Sequence, residues 1–203
     1  MKRVQRAVFC LIFSLSIAAR SFGQDDPENL SFRFKLKWGG SYTWLHDDEG
    51  TDPRIRTHAG LGLDFKVSSK SALGTELIFS QQGGIFTGDD SQRKNFNYLS
   101  VPCIMAYELN RSGNFLFHGG LQYSHLVSAK YVTENDPSRT IDVKDTLNQS
   151  DFAFVAGMSF IANDEAELTL RYVHGLTSIS DSSLFDQGLT NRGIQVSFAF
   201  FFK

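Results

Sequence analysis

Past its N-terminus the sequence has no long apolar run. No stretch approaches the ~18 consecutive apolar residues that a membrane-crossing helix needs, which excludes a helical membrane protein. An excess of one charge is also missing. The formal net charge is -2, so nucleic acid is not an implied partner. Cysteine is nearly absent: Cys10 and Cys103 are the two in the chain. Cys10 falls in a segment expected to be removed, and a lone Cys103 makes no internal disulfide, so the fold relies on no covalent staple. Helical periodicity does not compete anywhere with a period of two. What remains is a soluble domain or a β-barrel, whose alternating strands dilute hydropathy.

The N-terminus, "MKRVQRAVFCLIFSLSIAARSFGQ", places Lys2, Arg3 and Arg6 before an apolar run from Ala7 to Ala19. Ser21-Phe22-Gly23 then offers small residues at the two positions that signal peptidase reads. This pattern predicts a secretory signal peptide over residues 1–23, cleaved before Gln24, with residues 24–203 as one domain. The alternative, an anchor helix, has a short apolar run interrupted by Arg20. Cys10 lies too early for lipoprotein processing.

Alternation begins with "SFRFKLKWGGSYTW". Phe32, Phe34, Leu36, Trp38, Tyr42 and Trp44 share one parity, and Ser31, Arg33, Lys35, Lys37, Ser41 and Thr43 the other. In a strand these are opposite faces. The pattern recurs seven times, in "THAGLGLDFKV", "SALGTELIFSQ", "NYLSVPCIMAY", "NFLFHGGLQYS", "DFAFVAGMSFI", "AELTLRYV" and "NRGIQVSFAFFF". Cys103 shares its parity with Leu99, Val101, Met105 and Tyr107 and reads as a small apolar filler rather than a nucleophile. The connections alternate in length: "LHDDEGTDPRIR", "QGGIFTGDDSQRKN", the stretch from Leu126 to Ser150 and "LTSISDSSLFDQGLTN" are long, whereas "SSK", "ELNRSGN" and "ANDE" are short. An up-and-down barrel in an outer membrane sorts its connections this way.

The expected fold is therefore all-β: an eight-stranded antiparallel up-and-down transmembrane β-barrel with short periplasmic turns and long extracellular loops. An eight-stranded barrel has an interior just wide enough for side chains to fill. The Gly-, Ser-, Thr- and charge-rich face suits that interior, while inward Phe, Trp and Leu would overfill it. The alternative is a soluble barrel with the charges outside. Trp38, Trp44, Tyr42 and Tyr107 are candidates for interfacial girdles. The aromatic last strand is of the kind that the barrel-insertion machinery recognises, although Lys203 departs from the commonest ending. Pro102 sits inside the fourth strand, where a closed barrel hides no missing donor, so a bulge or local distortion is expected there.

The motifs "ELIFSQQGG" (Glu76–Gly84), "NYLSVP" (Asn97–Pro102), "FHGGLQYS" (Phe117–Ser124), "DFAFVAGMSF" (Asp151–Phe160), "LRYVHGLTSI" (Leu170–Ile179) and "NRGIQVSFAF" (Asn191–Phe200) follow one another, and the resemblance they carry covers nearly the whole mature chain. In them the chain resembles the PorT-like outer-membrane β-barrel family of Bacteroidetes, and Pro102 fits that family. The resemblance implies architecture and location, a cell outer membrane, with little chemistry. The founding member's part in protein secretion is not carried over.

Chemistry is sparse. His46 beside Asp47, Asp48 and Glu49 matches no calcium-loop spacing, so no metal site is assigned. His174 invites comparison with lipid-modifying barrel hydrolases. However, Ser178 lies four residues on, ~13 Å along an extended strand, and nucleophilic catalysis needs hydrogen-bond reach. His118 and His125 likewise read as structural. No catalytic, cofactor-binding or metal residues are assigned, and no cofactor. The inward charges mix both signs. Glu76 and Glu167 are each expected to find a cation among Arg33, Lys35, Lys37, Lys66 and Arg171, forming a plug rather than a pore. Expected partners are outer-membrane lipid and lipopolysaccharide, the barrel-assembly machinery during insertion, and an unidentified extracellular or periplasmic protein. The functional reading is a non-enzymatic outer-membrane barrel with a structural or loop-mediated binding role. The alternative is a lipid-active outer-membrane enzyme of the lipid A or phospholipid hydrolase type.

Overall fold

The computed structural model describes residues 32–46, 51–86, 92–133, 140–162, 165–179 and 190–202. The expected signal peptide and the acidic run Asp47–Glu49 lie outside the described residues, as does the side chain of His46. Eight long strands form the wall: β1 (Phe32–His46), β2 (Arg54–Lys66), β3 (Ser71–Gln82), β4 (Gln92–Glu108), β5 (Phe115–Thr133), β6 (Ser150–Ala162), β7 (Ala166–Gly175) and β8 (Thr190–Phe202). Each pairs antiparallel with its neighbour in the chain. β8 then returns to β1 with a register from Phe34↔Phe202 to His46↔Thr190. The sheet is closed, so the wall has no edge to protect. No helix among the described residues is long and apolar enough to cross a membrane.

Strand length follows from alternation, and termination follows from the turns. At the turn end, Ser68 Oγ accepts the backbone N–H groups of Lys70 and Ser71 at 3.3 and 3.1 Å, closing the link from β2 to β3. Asn110 Oδ1 accepts the N–H of Phe115 at 3.1 Å between β4 and β5. Gly113 there has φ 69°, in the left-handed region that a side chain disfavours.

The parity problem is decided by burial. Leu61 is 61% exposed, whereas Lys35 and Lys37 on the adjoining strand are 3% and 2% exposed. All eight strands repeat the alternation: aromatic and aliphatic side chains cover the outside, while the lumen takes the polar ones together with apolar groups such as Ile104, Ala153, Val155 and Val173. Such a continuous apolar exterior fits a lipid surround and not water. Tyr42, Trp44 and Tyr172 form one aromatic group toward the loop end, with ring centroids 5.9 and 6.5 Å apart in sequence. Tyr107 sits at the turn end, opposite Ser71. Trp38, expected in a girdle, instead lies midway along β1 and stacks on Phe200 at 5.5 Å.

The local distortion expected at Pro102 is present, as a gap in the ladder and not as a bulge. The register through Pro102 is unshifted, but the β3–β4 ladder pairs Thr75↔Cys103 and then resumes at Ile78↔Ser100. The missing donor thus costs ladder pairs without inserting a residue. Thr75 Oγ1 donates to the Pro102 carbonyl at 3.1 Å. The register shift occurs elsewhere: Asn97 opposes Ser128 while Tyr98 opposes Leu126, which leaves Val127 as the extra residue on β5. Inward parity therefore changes from Leu126 to Ala129, both fully buried.

Candidate functional site

The lumen divides into three levels. At mid-height, β1 supplies Lys35 and Lys37, β2 Asp64, β3 Glu76, and β7 Glu167 and Arg171. Arg171 grips Glu76 across the barrel with Nη1–Oε2 at 2.7 Å and Nη2–Oε1 at 3.0 Å. Lys37 Nζ donates to Glu76 Oε1 at 3.0 Å. Lys35 Nζ lies 3.0 Å from Asp64, 3.0 Å from Glu167 and 3.8 Å from Glu76. Three cations meet three carboxylates, so the cluster is neutral as a unit. This satisfies the condition under which buried charge is tolerated. Glu76 and Glu167 find cations as the sequence leads one to expect. Arg33 and Lys66 stay outside this cluster, toward the turn end.

Glycine makes room for it. A Cβ on Gly62 would sit 2.8 Å from Lys35 Cε and Cγ. A Cβ on Gly157 would meet the Leu170 carbonyl and His118 Nε2. Gly62 therefore faces the lumen, and Gly62→Ser would press on Lys35 rather than on lipid.

The two buried imidazoles brace the cluster and do not form a catalytic set. Ser159 Oγ donates to Glu167 Oε1 at 2.6 Å, while His118 Nδ1 is 3.5 Å from that hydroxyl. A nucleophilic triad needs the base between serine and acid; here the acid holds the serine directly. Arg171 Nε donates to His118 Nε2 at 3.4 Å. His58 stands between Ser41 Oγ and Ser197 Oγ, each at 2.7 Å, with no carboxylate on either nitrogen. His174 Nδ1 pairs with the Tyr172 hydroxyl at 3.1 Å, and the Ser178 carbonyl accepts from Asn148 Nδ2. No group of three His, Cys, Asp or Glu residues suited to a metal occurs among the described residues.

Above the charges the lumen turns apolar. Leu45, Phe96, Tyr98, Leu126, Ala129, Leu147 and Ile179 form one buried cluster, with Tyr131 and Val143 packed against it. Its polar seam is tied by Asn191 Nδ2, which donates to Asp151 Oδ2 at 2.9 Å and to the Tyr98 hydroxyl at 3.3 Å. Sequence reading missed this cap, because Leu147 and Ile179 come from loops whose alternation means nothing until they fold inward. The signals present were the adjacent apolar pair Leu126-Val127, which breaks the period of two, and Phe96 and Tyr98 on the inward parity of β4.

The third loop contributes to this cap. Thr140–Asp142 pairs back on β5, and the 3-10 turn Lys144–Thr146 lowers Leu147 into the cluster. This pairing extends the hairpin beyond the wall, while residues 134–139 lie outside the described residues. Deleting residues 133–146 spares Leu147 and takes only the last residue of β5 from the wall. The shortened chain should still insert and remain heat-modifiable, at a cost of about 1–2 kcal/mol for the lost pairing and packing. Leu147→Asp should cost more than the whole deletion, because it buries a carboxylate in an apolar cap. A urea titration of both in lipid vesicles checks the order.

A closed wall, an apolar exterior and a filled lumen that buries a neutral charge cluster define an integral barrel protein of the outer-membrane type. The chain belongs to the outer membrane protein beta-barrel domain family, whose model matches residues 22–181. Its fold is similar to that of Ail, the attachment invasion locus protein of Yersinia pestis, at 12% identity and TM-score 0.51, covering 84% of this chain and 97% of that one. It is similar also to Neisserial surface protein A, at 8% identity and TM-score 0.51, covering 86% and 100%. Ail in complex with the heparin analogue sucrose octasulfate matches at 14% identity and TM-score 0.50, covering 84% and 97%. At these identities the likeness is one of fold. No curated protein sequence matches the chain.

Proposed function

We propose that this outer-membrane barrel is non-enzymatic and acts by presenting its loop end to a partner outside the cell. The observation that carries this reading is the sheet raised at the loop end. Thr51–Asp52 pairs with Ile85–Phe86, which pairs with Gln92 and Arg93 of β4. β4 pairs with β5, and Thr140–Asp142 completes the row. β4 and β5 run to 17 and 19 residues, well beyond the ~9–11 that a bilayer crossing needs. A rigid scaffold that raises ordered strands above the lipid suits recognition. The filled lumen adds support: among the described residues, the serines that touch a buried histidine have no carboxylate on the far side of that imidazole. Lipopolysaccharide is the expected lipid neighbour of the Tyr42–Trp44–Tyr172 group.

The finer family placement rests on the motif order from Glu76 to Phe200, which supports a PorT-like barrel of Bacteroidetes. The mature chain is proposed to begin at Gln24, after a signal peptide removed on export, and to be inserted by the barrel-assembly machinery. Two measurements test the reading together. Outer-membrane fractions should contain a band whose gel mobility changes on boiling. Lipid A and phospholipid mass spectra of cells with and without the gene should be identical. A gene-dependent loss or gain of an acyl chain would instead establish the lipid-active enzyme.

A further inference from the structure

We infer that the turn-end mouth of the lumen is a binding site for a small phosphate-class oxyanion taken up from the periplasmic side. Short turns mark the periplasmic end of an outer-membrane barrel. There a cavity of about 330 Å³ opens between the Ser68–Ser71 and Asn110–Gly113 turns, within the size range of small-ligand sites. Its walls carry four cations, Arg33, Lys66, Lys70 and Arg111, against two carboxylates, Asp64 and Glu108.

The contrast with the level beneath is the core of the inference. At mid-height each of Lys35, Lys37 and Arg171 is bound to a carboxylate. At the mouth, Asp64 is already held by Lys35 at 3.0 Å. Among the described residues none of the four mouth cations forms an ion pair. Arg33 is nevertheless positioned: its guanidinium lies over the Phe201 ring, 4.4 Å from the centroid. That contact orients the group without neutralising it. The mouth is therefore left with excess positive charge in a concave, partly enclosed space.

The floor limits what enters. Leu116 and Ile161 line it. Below lies a void of only about 20 Å³ reaching Lys35, His118 and Glu167, room for roughly one water. The cavity is thus a dead end and not the vestibule of a channel. Two guanidinium forks and two ammonium groups favour a ligand with several oxygens and more than one negative charge, which is the chemistry of a phosphate. The same chemistry is offered by a soluble phosphate ester and by a phospholipid headgroup.

The test uses the full mature chain folded in phosphatidylcholine nanodiscs and titrated calorimetrically with inorganic pyrophosphate. Saturable binding is expected, weakening as salt is raised, because the mouth is open to screening. Arg33→Gln and Arg111→Gln should each lower the affinity by about tenfold. Lys144→Gln, at the opposite end, should leave it unchanged. Arg111 lies in an exposed turn, so its variant keeps the barrel, which gel heat-modifiability confirms. In discs containing phosphatidylglycerol, loss of pyrophosphate binding assigns the site to a lipid headgroup, and retained binding assigns it to a soluble ester. Absence of saturable binding in phosphatidylcholine discs, or an equal loss with Lys144→Gln, overturns the inference. Neither result bears on the loop-end reading above.

Discussion

Replacing Glu76 by glutamine is expected to cost about 3–5 kcal/mol of folding stability, the usual penalty for removing one partner of a buried ion pair. Glu76 lies 2.7 Å from Arg171, 3.0 Å from Lys37 and 3.8 Å from Lys35. Its loss leaves three buried cations facing two carboxylates. The void beside Lys35 has room for about one water, so hydration cannot replace the lost charge at little cost. Removing Arg171 as well should return part of the loss, because two cations then face two carboxylates. The double variant Glu76→Gln/Arg171→Gln should therefore be less unstable than the sum of its singles by more than about 1 kcal/mol. Urea-induced unfolding in vesicles measures all three. A Glu76→Gln variant as stable as the parent would mean that the lumen is hydrated and the charges are not what fills it.

The second large effect is expected on the outside. Leu61→Arg and Phe154→Arg should each cost ~2–4 kcal/mol if they lie near the bilayer midplane, and both should slow insertion. Leu61 and Phe154 are exposed on the wall: Leu61 lies midway along β2 between Leu36 and Leu77, and Phe154 lies on β6 between Leu121 and His174. The contrasting variant is Gly62→Ser, one residue away and on the other face. It puts a small polar side chain against the flexible Lys35 stem and should fold at a smaller cost. Vesicle folding yields rank the three. If the arginine variants fold as well as the parent while Gly62→Ser does not, the two faces of the wall are the reverse of those described.

Period two carried most of the architecture. Because successive side chains in a strand point to opposite faces, the period alone sorts Phe34, Lys35, Leu36 and Lys37. The alternation of long and short connections fixed the up-and-down order. The mixed signs of Lys35, Lys37, Glu76, Glu167 and Arg171 predicted mutual pairing, because unpaired charge in a narrow lumen is too costly. The same logic misplaced Trp38, since parity gives a face but not a height. It did anticipate the distortion at Pro102, where a donor is missing, but not the extra residue at Val127. A proline can be accommodated by a gap in the ladder on one side, whereas a bulge requires an additional residue, and only the pairing of both strands reveals where that is.

By itself the sequence determined which residues face lipid, how many strands cross and which charges must find partners, because these depend on alternation and on the cost of burying charge. The tertiary structure decided which pairs form. Arg171 and Glu76 lie on strands that are not neighbours and meet only because the wall closes. It decided that the loop end is capped by Leu147 and Ile179, and that Arg33 and Lys66 remain outside the neutral cluster. Those outcomes depend on the height of each residue along the barrel axis and on the diameter that closure imposes. Neither quantity is written in the period of the sequence.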